Sequence, residues 1–424
     1  MNEAFLHYCW KYRLLKNELF TTDNQQVTIL RSGDVNLDAG PDFFNAHLKI
    51  GDTEWAGTVE IHLRSSDWNL HKHSSDKRYN NVILHVVHEH DCEIELENGH
   101  TVTTLELKDQ LLEGVWEKYQ TLTHPALSFT IPCSGSIESI PQFTIGTYLQ
   151  RLAAERLEEK SEAARRLLSE SGNSWETCCY WLMARCFGGK VNALPFELLA
   201  KSVDMRILAK IKDSRFRIEA LFFGQAGMLE ENFSDEYPKQ LKKEYEYLRK
   251  IYNLKPLDSY LWKFFRVRPQ GFPTIRISQF SDFIFKSSSL FSKLLSTSET
   301  KKLLSFFEVS TSEYWETHYH FDKPVHKKKN GLSRDFASSI LVNAWCPMLL
   351  LYGNTTGQES HKENSLRILE SLECEDNKII REWQKLGLAP QNALHSQALI
   401  QLYNGYCTKR RCLECQIGFK IIKG

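Results

Sequence analysis

The sequence predicts an α+β protein: an N-terminal mixed β-sheet domain followed by a large, mainly α-helical region. Three observations carry this. β-Branched and aromatic segments separated by Gly, Asp and Asn are confined to residues 27–108. From about Thr147 onward the apolar residues recur at helical spacing. The composition, 42% hydrophobic and 25% charged, is that of an ordinary globular chain.

In chain order, residues 4–20 place Phe5, Tyr8, Cys9, Tyr12, Leu15 and Leu19 at three- and four-residue intervals, which predicts an amphipathic helix. Strands are expected at 27–33, 43–50, 55–64, 81–90 and 101–108. The Gly51-Asp52 step predicts a tight hairpin between the second and third. Residues 147–171 read as one long helix rich in Ala, Leu, Glu and Arg, and further helices are expected over 175–187, 193–211, 214–230 and 238–253. An aromatic-rich mixed segment follows over 257–345, and the last eighty residues read as helical. With 424 residues the chain exceeds the size of one core. The expected division is 1–140, a β-rich nuclease-like domain, 141–256, a helical domain, and 257–424, a mixed and mainly helical region.

Charge and targeting signals narrow the function classes. Lys plus Arg and Asp plus Glu both number 53, so no global field draws the protein to nucleic acid or an anionic membrane. Contact with DNA or RNA would need a local patch. The first twenty residues lack the apolar run and cleavage site of an export signal, and 338–353 is too short to span a bilayer and reads as a core element. A cytoplasmic protein without a membrane partner is expected, its eleven cysteines being thiols or metal ligands.

The strongest chemical signal is GPDFFNAHLKIGDTEWAGTVEIHLRSSDW. Residues two apart on a strand share a face, so Glu60, His62 and Arg64 are expected on one side and Val59, Ile61 and Leu63 on the other. The hairpin returns Asp42 beside this polar face. Two carboxylates brought together in this way suit Mg²⁺ or Mn²⁺, because hard cations take oxygen ligands and keep positions for water and phosphate. The competing reading is a turn cap at Asp42 and a cross-strand pair at Glu60. Asp34, Asn36 and Asp38 begin like a calcium loop, but Gly40 falls one position late and Asn45 stands where a bidentate Glu is needed. They are expected to shape the turn instead.

Five histidines follow at 71, 73, 85, 88 and 90, beside Asp67 and Asp76. His71 and His73 lie in a loop expected near Glu60, where they would serve as zinc ligands or assist a leaving group. His85 reads as a core histidine, and His88 and His90 as solvent-facing. At the C-terminus, YCTKRRCLECQIG places Cys407, Cys412 and Cys415 within nine residues of one another beside three cations, a spacing that suits zinc or an iron–sulfur cluster. Cys133, Cys346 or a histidine would supply the fourth ligand. Cys178, Cys179 and Cys186 read as core, as do the aromatics around Trp315. The basic runs at 326–329 and 409–411 read as solvated loops, and Arg266, Arg268 and Arg276 bracket an aromatic turn.

The order of helix, strand, Asp-bearing strand, Glu-x-His strand and further strand resembles the PD-(D/E)XK nuclease superfamily, through Pro41-Asp42 and Glu60-Ile61-His62. His62 stands where that superfamily usually has Lys. The resemblance implies metal-dependent phosphodiester hydrolysis, with Asp42 and Glu60 on the metal, His62 in the lysine role, and an acidic residue such as Glu18 on the upstream helix. Taken whole, the chain also resembles the bacterial family DUF2851, through GDVNLDAGPDFFNAHLKI, WAGTVEIHLRSSDWNLHKHSSDKRYNNVILHVVHEHD, RIEALFFGQAGML, FRVRPQGFPTIRISQF, WETHYHFD and YCTKRRCLECQIG. That membership implies no assigned activity. A non-catalytic scaffold, favoured by the zero net charge and the missing Lys, and a zinc hydrolase built on His71 and His73 remain open beside the nuclease.

Overall fold

The structure is a computed structural model that describes residues 1–36, 38–123, 131–327 and 330–424. Its chain falls into two compact units: Met1–Thr144 with Gly405–Gly424, and Ile145–Asn404. This differs from the three consecutive regions expected. The last twenty residues return to the N-terminal unit because the helix Gln416–Lys423 packs on the helix Val115–Thr123, a pairing 300 residues apart in sequence that no local pattern encodes.

In the first unit, helix α1 (Glu3–Tyr12) starts at Asn2, whose side chain accepts the Phe5 N–H. It stops at Arg13, which is left-handed (φ 52°) and donates its N–H to Trp10. The longer helix predicted to residue 20 is therefore cut short. Beyond Arg13 the chain turns extended: Leu15 bridges to Leu111, Lys16 donates to the Gln110 carbonyl, and β1 (Leu19–Phe20) begins. Tertiary pairing overrides an apolar spacing that also fits a helix.

The sheet continues through β2 (Gln26–Arg31), β3 (Asp34–Val35), β4 (Phe43–Ile50), β5 (Thr53–Arg64), β6 (Val82–Glu89) and β7 (Thr104–Glu106). The order is β1-β2-β4-β5-β6-β7, with β3 paired to β4; pairs up to β5 are antiparallel, and β5-β6 and β6-β7 are parallel. The mixed sheet follows the expected strands closely. β4 and β5 are joined through Gly51, whose φ of +57° is the left-handed conformation a tight hairpin requires. A register shift between Phe43 and Ala46, with Asn45 at φ +57°, bulges β4 just after Asp42. Gly57 opposes it, and a Cβ there would lie 2.7 Å from the Asn81 carbonyl and 2.5 Å from Ile83, so only glycine lets β6 start this close. The β5 to β6 crossover holds one helical turn, α2 (Asp67–Leu70), and two 3-10 turns, His73–Ser75 and Lys77–Tyr79. Trp68, Tyr79, Val82, Ile94 and Val102 form a small core under that crossover.

The second unit is helical, with a two-stranded hairpin, His318–His320 and Lys323–Pro324. Trp175–Phe187 coincides with its prediction. The stretch expected as one helix over 193–211 is two, Ala193–Lys201 and Met205–Ile211, because Asp204 caps the second by accepting the Arg206 N–H. Arg334–Thr356 passes the length and hydropathy test for a membrane span, but 67% of its most apolar window is buried inside the structure, as expected of a core element. Trp315, Cys178 and Cys179 are buried core, and Arg276 stacks on Phe336 with its guanidinium 3.5 Å from the ring centre. Lys328 and Lys329 of the basic run lie outside the described residues.

Candidate functional site

Asp42 and Glu60 meet across the β4-β5 pairing through reciprocal hydrogen bonds. The Asp42 N–H donates to Glu60 Oε2 at 3.0 Å, and the Ile61 N–H donates to Asp42 Oδ2 at 2.9 Å. The bulge at Asn45 makes this possible by re-aiming the residue that precedes β4. Asp34, Asn36 and Asp38 do shape the preceding turn: Asn36 donates to the Pro41 carbonyl and accepts from the Asp38 N–H, and Asp34 pairs with Arg31.

Glu60 and His62 do share a face, Glu60 Oε1 lying 3.5 Å from His62 Nε2. That face, expected to be a polar surface, is buried: Glu60 is 5% exposed and His62 2%. The crossover covers it. Asp67 accepts the Arg64 N–H, Asp91 accepts from the Ser66 N–H and hydroxyl, and Trp68 donates Nε1–H to Ser74 Oγ, so the loop is pinned at both ends. Between His71 and His73, Lys72 takes a left-handed φ of +63°. A non-glycine residue there stores on the order of 1 kcal/mol of strain. The bend brings both neighbouring imidazoles onto His62.

The result is a compact donor set. His62 Nε2 lies 3.1 Å from His71 Nδ1, and His73 Nε2 lies 3.3 Å from Glu60 Oε1. One ligand atom from each of His62, His71 and His73 falls within 4.8 Å of the others. His73 stacks on Tyr79 at 3.8 Å between ring centres, and Trp68 meets the edges of His62, His73 and His85. These rings fix the imidazole orientations and exclude water from one side.

Two participants are absent from the sequence-based set. His85, opposite Glu60 in the parallel pairing, places Nε2 2.8 Å from His62 Nδ1. His7 on α1 lies 3.2 Å from Asp42 Oδ2. His85 does sit within a buried strand as expected, but its partner across the sheet was not legible without the register. Glu18 is exposed outside α1; Glu3 is the helix carboxylate whose charge reaches Glu60 and His7. His88 and His90 are half-buried rather than solvent-facing, and His90 bonds to Ser65.

Electrostatics reflect crowding without a counter-ion. Burial, then the Asp42 charge, pushes Glu60 up to about 8. Burial and the neighbouring imidazoles push His62 down to about 4 and lower His73, and His85 lies well below the usual value. For His7 burial opposes the charged form, but the hydrogen bond and charge of Asp42 outweigh it and raise the pKa. His73 Nε2 and His85 Nδ1 are buried without an aligned hydrogen-bond partner. Orphaned buried nitrogens beside a carboxylate are what a cation would satisfy.

The expected cysteine ligands are elsewhere in the same unit. Cys407, Cys412 and Cys415 are buried and accompanied by Cys133, while Cys346 belongs to the second unit.

An α+β protein with a buried imidazole–carboxylate centre against a mixed sheet is what fold and site define. The chain belongs to the family described as protein of unknown function (DUF2851), whose model matches residues 3–378. No curated protein and no solved structure matches it.

Proposed function

We propose that the protein is a metal-dependent phosphodiester hydrolase whose divalent ion is held by His62, His71, His73 and Glu60. The observation that carries this is the spacing of the donors. One ligand atom from each of His62, His71 and His73 lies within 4.8 Å of the others, and Glu60 Oε1 stands 3.5 Å from His62 Nε2 and 3.3 Å from His73 Nε2, beside the position that three imidazoles would give an ion. Three imidazoles and one carboxylate favour zinc or manganese over the magnesium that two carboxylates alone suggest. Such an ion supplies a nucleophilic hydroxide near neutral pH and neutralises phosphate charge.

The surrounding residues have separate tasks. Asp42 orients Glu60 through its N–H and adds negative charge beside it. His85 accepts from His62 Nδ1–H and so fixes the tautomer that presents Nε2. Lys72 and Lys77 are exposed on the loop that carries His71 and His73, a local patch for the phosphates of DNA or RNA. A helix, antiparallel strands and then a parallel strand, with Asp42 and Glu60-x-His62 in their order, support a PD-(D/E)XK-like core; the crossover of short turns departs from it. A cytoplasmic setting suits the reduced thiols.

The test is cleavage of single- and double-stranded DNA and RNA by chelator-treated protein resupplied with Zn²⁺, Mn²⁺ or Mg²⁺. Zn²⁺ or Mn²⁺ is expected to restore cleavage, and Glu60→Ala and His73→Ala to lose about a hundredfold or more. Metal-loaded wild type no more active than Glu60→Ala would leave a binding or scaffold protein.

A further inference from the structure

We infer that the helical unit holds a small-molecule site, a cleft that takes a zwitterion with an apolar side chain, the chemistry of a free apolar or aromatic α-amino acid. The cleft is formed wholly within that unit and does not depend on the activity proposed for the imidazole centre.

The cleft encloses about 410 Å³ between the helices Trp175–Phe187 and Met205–Ile211, the end of the helix Pro273–Lys286 and the short helix Leu290–Leu295. Small-molecule pockets run from about 300 to 1,000 Å³, so there is room for one compact ligand. Met205, Leu208, Ile284 and Leu290 make an apolar wall. Glu176, Tyr180, Lys212 and a run of serines bring polar atoms to the same space.

The serine segment is held by its own hydrogen bonds. Ser287 Oγ donates to the Phe283 carbonyl at 2.6 Å, Lys293 Nζ donates to Ser288 Oγ at 2.6 Å, and the Phe291 N–H donates to Glu176 Oε2 at 3.1 Å. Ser289 is left-handed at φ +49°, a conformation that a non-glycine residue keeps where its surroundings over-determine it. The bond from Phe291 fixes the Glu176 carboxylate at the cleft and engages only one of its oxygens.

Two further groups on the wall lack partners. Tyr180 is 1% exposed, and its hydroxyl is buried with no hydrogen bond. Such a group is costly in a core and is satisfied by a ligand. Burial pushes the phenol up, so it meets that ligand as an O–H. Lys212 is half-buried and makes no hydrogen bond or ion pair among the described residues, although Glu176 lines the same cleft.

The charges select the ligand. A purely apolar molecule would leave Lys212, Glu176 and Tyr180 desolvated without partners, and a phosphate would meet the Glu176 carboxylate. A zwitterion satisfies both signs: its carboxylate accepts from Lys212, and its ammonium donates to Glu176 Oε1. The Tyr180 hydroxyl, one helical turn on from Glu176, gains its partner in the same polar head. The side chain of the ligand then lies against the apolar wall.

The test is isothermal titration of the full chain with L-phenylalanine and L-leucine. Both are expected to bind. Phenethylamine, 3-phenylpropanoate and glycine, which lack the carboxylate, the ammonium and the side chain respectively, are expected to bind at least about tenfold more weakly. Tyr180→Phe removes one oxygen from a buried ring and keeps its packing; it is expected to weaken L-phenylalanine binding about tenfold, and Lys212→Met by at least as much. Chelator-treated protein binds as untreated protein does, because no residue of the imidazole centre lines the cleft. No heat from either amino acid up to millimolar concentration, phenethylamine or 3-phenylpropanoate bound as tightly as L-phenylalanine, or undiminished binding by either variant each overturns the assignment.

Discussion

Both units bury polar groups, but they treat them differently. In the helical unit Glu219, fully buried, accepts Trp315 Nε1–H at 2.8 Å and the Ser312 hydroxyl at 3.1 Å. Arg156 and Lys160 both donate to Gln397, which in turn donates to Glu375, and Lys160 reaches Asn343 at 2.8 Å. Donors face acceptors, with one carboxylate oxygen, Glu219 Oε2, left over. In the sheet unit Glu60, His62, His73 and His85 crowd ring nitrogens and carboxylate oxygens together, and two buried nitrogens lack aligned partners. The first leaves over one carboxylate oxygen, the second two ring nitrogens, the kind of atom a cation would satisfy. Burial of polar side chains alone does not distinguish a site from a scaffold; the kind of atom left over, an acceptor oxygen in one unit and ring nitrogens in the other, is the difference.

Breaking the Glu219 network has the largest effect on stability. Glu219→Ala leaves the buried Trp315 N–H and the half-buried Ser312 hydroxyl without this acceptor and is expected to cost about 3 kcal/mol in urea unfolding. A loss under about 1 kcal/mol would place Glu219 outside the class of structural groups.

The second test concerns Lys160, half-buried, whose ammonium is pushed down to about 7 first by burial and then by Arg156. Its folded pKa is lower than the unfolded value of 10.5. Between the two the unfolded chain holds the extra proton, so stability rises with pH by at most about 1.4 kcal/mol per unit once pH passes 7. Above pH 9 the trend is opposed by Cys186 and Cys346, raised to about 12 by burial, which stay protonated in the folded state while the unfolded thiols ionise. Up to pH 8 the trend is also opposed by Glu60, raised to about 8, which keeps its proton in the folded state while the unfolded carboxyl is ionised; the Lys160 contribution is therefore read as the amount by which Lys160→Met lowers the slope of stability against pH between 7 and 9.

The smallest effect has the opposite sign. His73→Phe keeps the stack on Tyr79 and removes an orphaned nitrogen, so chelator-treated protein is expected to gain about 1 kcal/mol. The same variant is expected to lose the rise in melting temperature that Zn²⁺ or Mn²⁺ would give wild type. Destabilisation of the metal-free variant would mean that the imidazole centre is a structural network.

Much of this was legible in the sequence, for local reasons. Strand alternation and the Gly51 turn locate the hairpin, and its two-residue period puts Glu60 and His62 on one face. The helical period marks the second unit. What the sequence could not supply depends on register and long-range closure. The bulge at Asn45 decides that Asp42 meets Glu60, the parallel pairing of β5 with β6 decides that His85 supports His62, and the left-handed turn at Lys72 decides that His71 and His73 converge. The return of the C-terminal segment decides that Cys133 and the three C-terminal cysteines belong to one unit. Side-chain period is set by the chain itself, one residue after another. Pairing partners are set by which surfaces bury best together, and that free energy exists only once the whole unit is assembled.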